Sequence, residues 1–195
     1  MTNYGSAKAR SSAKDLIGAG LNHAVQFYEE EEVLYSTVAD FLADGLLAGE
    51  PVVVIATEPH RLAFVASLEG KGVGTEGMIL LDAREMLDTF MVGTMPDEQR
   101  FRASIGGVIE KAAASRRKLA VRAYGEMVDV LWRDGNPEAA IALEELWNDL
   151  ANLYTFALLC AYPIGNIYKE AHSPQFEKIC SRHTHVIPGL PALSS

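Results

Sequence analysis

Apolar and polar positions along the chain fall into two kinds of block: short β-branched runs, and longer stretches with helical spacing. Residues 23–28 predict a short strand. Residues 29–48 predict a helix, because Val33, Leu34, Val38, Phe41, Leu42 and Leu46 recur at helical intervals and Gly49 ends the pattern. Pro51 then leads into Val52, Val53, Val54, Ile55 and Ala56, a continuous run that suits a strand buried on both faces. A helix starting near Pro59 carries Leu62, Phe64, Val65 and Leu68 until Gly70, Gly72 and Gly74 break it. Residues 78–82 predict a strand, 83–90 a short helix, 91–96 a loop and 97–115 a longer helix. Residues 119–124 form the next strand, ending at Gly125, and 127–132 the next helix. Asn136, Pro137 and Glu138 then supply an N-cap, a proline in the first helical position and an acid at the positive end of the dipole. That helix turns Ile141, Leu143, Leu146, Trp147 and Leu150 inward. Residues 155–162 read as a buried strand stopped by Pro163, 174–181 as a helix and 183–187 as a last strand.

Strands thus alternate with helices. The pattern predicts an α/β fold of three layers, a mainly parallel sheet with helices on both faces. Ligands of such sheets bind at the carboxyl ends of the strands. The positions to inspect are therefore Thr57, Glu58, Asp82, Tyr124, Gly125, Glu126, Tyr162 and Pro163.

The length of 195 residues suits one domain, expected over 21–188, with an N-terminal arm over 1–20 and a short tail over 189–195. The net charge of −9 argues against nucleic acid and anionic membrane as partners. The one short basic cluster, Arg116, Arg117 and Lys118, reads as a solvated helix end. Two cysteines, Cys160 and Cys180, make no disulfide framework, and Cys160 lies in an apolar run where a thiol packs as a small hydrophobe. No apolar stretch is long enough to span a membrane, and the first residues lack a signal-peptide core, so a cytoplasmic location is expected.

Several segments together resemble one known family. They are His23-Ala24-Val25-Gln26-Phe27-Tyr28, the stretch from Phe41 through Gly49-Glu50-Pro51 to Thr57, Arg122-Ala123-Tyr124-Gly125-Glu126-Met127, Leu143-Glu144-Glu145-Leu146-Trp147-Asn148 and Leu159-Cys160-Ala161-Tyr162-Pro163. In this order they are similar to the MEDS domain, the methanogen/methylotroph DcmR sensory domain, over roughly residues 22–187. The resemblance implies a RecA/KaiC-like sheet and a sensory role directed at small organic ligands. It also implies a separate output partner, such as a histidine kinase or a transcription regulator, because this sequence carries neither module. A homo-oligomer stays open, and no cofactor is implied.

A RecA-like fold raises the alternative of a degenerate nucleotide-binding or ATPase domain. A phosphate loop needs glycines and a Lys-Ser/Thr end. Its place holds Glu29, Glu30, Glu31 and Glu32, which would repel a triphosphate, and the Gly70, Gly72, Gly74 series has the wrong spacing. Glu58 stands where such ATPases carry a catalytic carboxylate, but reads better as a helix N-terminal acid. No Gly-x-Ser-x-Gly elbow occurs, so the expectation is a binding module and not an enzyme.

Arg122 is a charge in an otherwise apolar strand and should be paired, with Glu126, Glu144 or Glu145, unless it faces a ligand. The expected ligand site is a pocket at the carboxyl ends of the strands bounded by Tyr28, Arg122, Tyr124, Glu126, Trp147 and Tyr162. Glu144 and Asn148 share a helix face and hold a loop or a ligand. His183 and His185 are weak metal candidates, to which His23 or Cys180 could add; no metal site is assigned.

Overall fold

The computed structural model describes residues 23–115, 119–163 and 174–187. The expected arm, the tail and the basic cluster of Arg116, Arg117 and Lys118 lie outside these residues.

Six strands form one sheet: β1 (His23–Tyr28), β2 (Val52–Ala56), β3 (Ile79–Asp82), β6 (Val121–Gly125), β7 (Phe156–Pro163) and β8 (His185–Ile187). Their order is β3-β2-β6-β7-β1-β8, and every neighbouring pair is parallel. The continuous apolar runs sit in the centre, where both faces are covered; β2, β6 and β7 bury nearly every residue. Edge strand β3 is only half-buried.

Alternation along each strand sends side chains to two separate cores. One core joins Tyr28, Val54, Ala56, Tyr124 and Leu159 to α1 (Glu31–Leu47) and α2 (Glu58–Gly70). The other joins Val25, Phe27, Ile55, Ala123, Leu158, Cys160 and Tyr162 to the remaining helices. These are α3 (Ala83–Phe90), α4 (Glu98–Phe101), α5 (Gly107–Ser115), α6 (Met127–Arg133), α7 (Pro137–Ala151) and α8 (Pro174–Arg182). The chain leaving β2 therefore turns to one face and the chain leaving adjacent β6 turns to the other. Their carboxyl ends flank a topological switch point, where the backbone diverges to the two faces.

Most expected boundaries lie within two residues of the observed ones. Asn136 caps α7 as expected, accepting from the Ala139 amide at 3.1 Å. Three segments differ. Residues 91–96, expected as a loop, form a small antiparallel hairpin of β4 (Met91–Val92) and β5 (Met95–Pro96) around Gly93, whose φ is 61°. The expected helix 97–115 contains a π-helical turn, Arg102–Gly106, between α4 and α5. Gly106 sits there against Leu150; a Cβ would come within 3.3 Å of Leu150 Cδ1, so the absence of a side chain lets the turn pack on α7. Leu62, expected inward, is exposed.

Arg122 corrects a sequence expectation. Its partner is none of Glu126, Glu144 or Glu145. Nε donates to Glu50 Oε2 at 2.6 Å and Nη1 to the Phe41 carbonyl at 3.0 Å, with the guanidinium 4.9 Å over the Phe41 ring. Arg122 occupies the amino end of β6, beside Val52 and Ala157, so it stands at the opposite end of the sheet from the expected pocket. The sequence pointed to carboxylates near in the chain, whereas the turn from α1 into β2 delivers Glu50. Gly45 makes room for this arrangement, since a Cβ there would lie 2.5 Å from both Arg122 Cδ and Nε. Alanine is the better helix former by about 1 kcal/mol. Gly45→Ala is nonetheless expected to destabilise the protein by about 1–3 kcal/mol through overpacking. The penalty should vanish in an Arg122→Ala background, which removes the Cδ and Nε that the added Cβ would meet, and a double-mutant cycle on urea unfolding checks it. Equal effects of Gly45→Ala in the two backgrounds would contradict the steric account.

Candidate functional site

At the β2/β6 switch point the structure gathers a buried, charged cluster. Glu126 follows β6 and starts α6; Thr57 follows β2 and starts α2. The two loops are joined by the Glu126 carboxylate, which accepts from the Thr57 amide at 2.9 Å and from its hydroxyl at 3.2 Å. His60, in the first turn of α2, places Nδ1 3.0 Å from Glu126 Oε1. Arg133, at the end of α6, donates to the same oxygen at 2.9 Å and stands 2.8 Å from Asp129 Oδ2. The rim is formed by α1, where the Tyr35 hydroxyl donates to Glu31 and the Tyr35 ring packs edge-on against His60 at 5.7 Å.

These neighbours set the charges. Burial would raise the Glu126 pKa, but His60, the Thr57 amide and Arg133 together hold it below the usual carboxylate value. Burial would lower the His60 pKa, but Glu126 and then Glu31 raise it above that of a free imidazole. Asp129 is different. Burial outweighs Arg133, Glu126 adds repulsion, and the carboxyl is pushed up to about 7. Burial, with the charge of Asp129, also raises the Tyr28 phenol.

Capacity remains unused. Among the described residues, neither carboxylate oxygen of Asp129 accepts a well-aligned hydrogen bond, and the Tyr124 hydroxyl and Gln26 Oε1 have no partner. Gln26 alternates with Ala24 and Tyr28, and with Tyr124 it faces the α1/α2 layer. Orphaned groups this deep are uncommon in folded proteins.

The six residues expected to bound one pocket do not come together. Tyr28, Tyr124 and Glu126 belong to the switch-point side. Arg122 lies at the far end of β6. Trp147 and Tyr162 lie in the core beneath the other face. There Trp147 stacks edge-on with Phe101 at 5.4 Å and Phe156 at 5.9 Å, and the Tyr162 hydroxyl donates to Glu144 at 2.7 Å. Alternation explains the split: Tyr124 is in register with Leu159, and Tyr162, three positions further along β7, points to the opposite face. Glu58 is an exposed first-turn acid of α2, and Glu29 to Glu32 are exposed around the start of α1. Asn148 holds a loop, donating to the Arg182 carbonyl at 3.0 Å. His183 is buried and His185 half-exposed in β8, so the two do not form a site together.

Sequence reasoning missed His60, Asp129 and Arg133. Asp129 was legible, as a lone acid inside the apolar run Met127, Val128, Val130, Leu131 and Trp132. His60 carried only a positional signal, four residues past the end of a buried strand.

Fold and cluster together define a parallel three-layer α/β domain with a polar site at the carboxyl switch point and no phosphate-loop sequence. The chain belongs to the MEDS family, described as MEthanogen/methylotroph, DcmR Sensory domain, whose model matches residues 22–183. Membership gives it a sensory or regulatory role. Comparison with curated proteins gave no significant match. Among the described residues, no helix is long and apolar enough to cross a membrane.

Proposed function

We propose that the domain senses a small organic ligand at the β2/β6 switch point and binds it without transforming it. One observation carries the reading: buried polar groups at the place where open parallel sheets bind ligands, among them a Tyr124 hydroxyl with no partner among the described residues. A ligand with both a hydrogen-bonding group and an apolar part suits a site of one phenol, one near-neutral carboxyl and aromatic walls of Phe64 and Tyr35. Engagement of Glu126, which bridges α2 and α6, biases the relation between the two faces of the sheet. A separate output protein, such as a histidine kinase or a transcription regulator, reads that bias. The nucleotide alternative is disfavoured by the exposed carboxylates of Glu29 to Glu32, which border α1 where a triphosphate would need the helix dipole.

Thermal shift tests the proposal. Millimolar ATP with magnesium should leave the melting temperature unchanged, whereas a panel of small alcohols, acids and haloalkanes should contain ligands that raise it. A ligand at one hundred times its Kd contributes about 2.7 kcal/mol. Tyr124→Phe is the informative variant. It removes an unpartnered buried hydroxyl, so stability should hold or rise, while ligand affinity should fall by about tenfold. A saturable ATP shift, or ligand shifts unchanged in Tyr124→Phe, would overturn the proposal.

A further inference from the structure

A second buried cluster lies beneath the opposite face, built from parts distant in the chain. His23 opens β1, Cys160 lies in the middle of β7, Glu144 is on the inner face of α7, and His183 follows α8. Glu144 and Cys160 are fully buried, His23 and His183 nearly so. His23 Nε2 is 3.1 Å from Glu144 Oε2 and 3.3 Å from Cys160 Sγ. His183 Nε2 is 3.3 Å from the same Glu144 oxygen, and Cys160 Sγ is 3.9 Å from it. All four donor atoms lie within 4.8 Å of one another.

Each donor is aimed by a neighbour. His183 Nδ1 donates to the Ile179 carbonyl at 2.7 Å. His23 Nδ1 donates to Asn148 Oδ1 at 3.0 Å, and Asn148 is fixed in that orientation because its amide nitrogen serves the Arg182 carbonyl. Both imidazoles therefore turn Nε2 to the centre. The Tyr162 hydroxyl occupies Glu144 Oε1 and leaves Oε2 facing the imidazoles. Imidazoles whose second nitrogen is held by a carbonyl, beside a carboxylate that is itself hydrogen-bonded, are the usual surroundings of metal ligands. Zinc–ligand bonds of about 2.0–2.3 Å at tetrahedral angles set donor atoms roughly 3.3–3.7 Å apart, close to the four separations seen here.

We propose that His23, Glu144, Cys160 and His183 bind one divalent transition-metal ion with zinc-like coordination. The borderline donor set of two imidazoles, a thiolate and a carboxylate selects zinc or its neighbours over calcium and magnesium, which take all-oxygen shells. Four protein donors close a tetrahedral shell, so the ion holds structure and leaves no position for substrate. It joins β1, β7, α7 and the segment leading into β8, fixing the C-terminal edge of the sheet. The site is separate from the switch-point cluster and stands whether or not an organic ligand binds there.

Metal analysis of the full chain, purified without chelator, should find about one zinc per chain. Titration of the demetallated, reduced protein with cobalt(II) should give intense visible d–d bands of tetrahedral cobalt and a near-ultraviolet thiolate charge-transfer band. Cys160→Ser should abolish the charge-transfer band, whereas Cys180→Ser should keep it. Asn148→Ala, which frees the His23 ring, should weaken cobalt binding by about 10–100-fold. Folded wild-type protein that takes up neither zinc nor cobalt would overturn the proposal, as would a charge-transfer band that follows Cys180. Should Cys160→Ser fail to fold, the test rests on Asn148→Ala, and unchanged cobalt affinity there overturns it.

Discussion

Glu50→Ala is expected to destabilise the protein by about 3–5 kcal/mol, the cost of leaving a buried cation without its carboxylate. Arg122 is 1% exposed and Glu50 14%, so the two ends of the pair are not equivalent. Removal of Glu50 strands a guanidinium that, among the described residues, keeps the Phe41 carbonyl and the Phe41 ring. Removal of the cation has a milder outcome, because Glu50 can turn toward water. Arg122→Met retains most of the packed stem and should cost about 1–3 kcal/mol. Urea denaturation of both variants checks the asymmetry. A Glu50→Ala effect below about 1 kcal/mol would show that the guanidinium reaches solvent and that the pair is an ordinary surface bridge. Arg122 ties the end of α1 to the start of β2, so the loss should appear as global unfolding and not as local fraying.

The fold was legible because its signals are local and redundant. The β-branched run of β2, the helical spacing over α1 and the Asn136-Pro137 start of α7 each follow from a few adjacent residues, and together they leave little but a parallel three-layer sheet. The hairpin of β4 and β5 escaped because two-residue strands are set by tertiary contact, here an Asn136 side chain donating to the Thr94 carbonyl at 2.6 Å. The site was only half legible. Strand ends could be located, which brought out Tyr28, Tyr124 and Glu126. Facing could not be combined across strands without knowing the register, so Trp147 and Tyr162 were joined to residues on the other side of the sheet. Glu50 was missed for a related reason: a carboxylate in a turn gives no periodic signal of where it will point. The His23, Glu144, Cys160 and His183 group shows the limit most clearly. Its members are spread over 161 positions and meet only through the pairing of β1 with β7 and the return of the chain after α8.

Asp129→Asn is expected to stabilise the protein at neutral and alkaline pH. The folded Asp129 carboxyl titrates at about 7, against about 3.9 in an unfolded chain. Between those values the folded state holds a proton that the unfolded state has released, so stability falls as pH rises through the window and levels off above it. Three units at 1.4 kcal/mol each set an upper limit of about 4 kcal/mol, reduced by the lost attraction to Arg133; a gain of about 1–3 kcal/mol is expected at pH 8. His60 adds to the same trend. Its pKa is raised by Glu126, so its contribution is present below about pH 6.5 and lost as pH rises through the folded value. Glu126 acts in the other direction: its pKa is lowered, so its contribution is lost on acidification below about pH 4. Wild-type stability should therefore peak on the acid side, near pH 5. The gap between Asp129→Asn and wild type should be small there and widest at pH 8. Melting temperatures from pH 4 to 8 measure both. A variant uniformly less stable than wild type would mean that Asp129 is ionised throughout and serves only as the partner of Arg133. The expected widening gap would instead identify a carboxyl that is half protonated near neutrality, able to donate a hydrogen bond to a ligand in one state and accept one in the other.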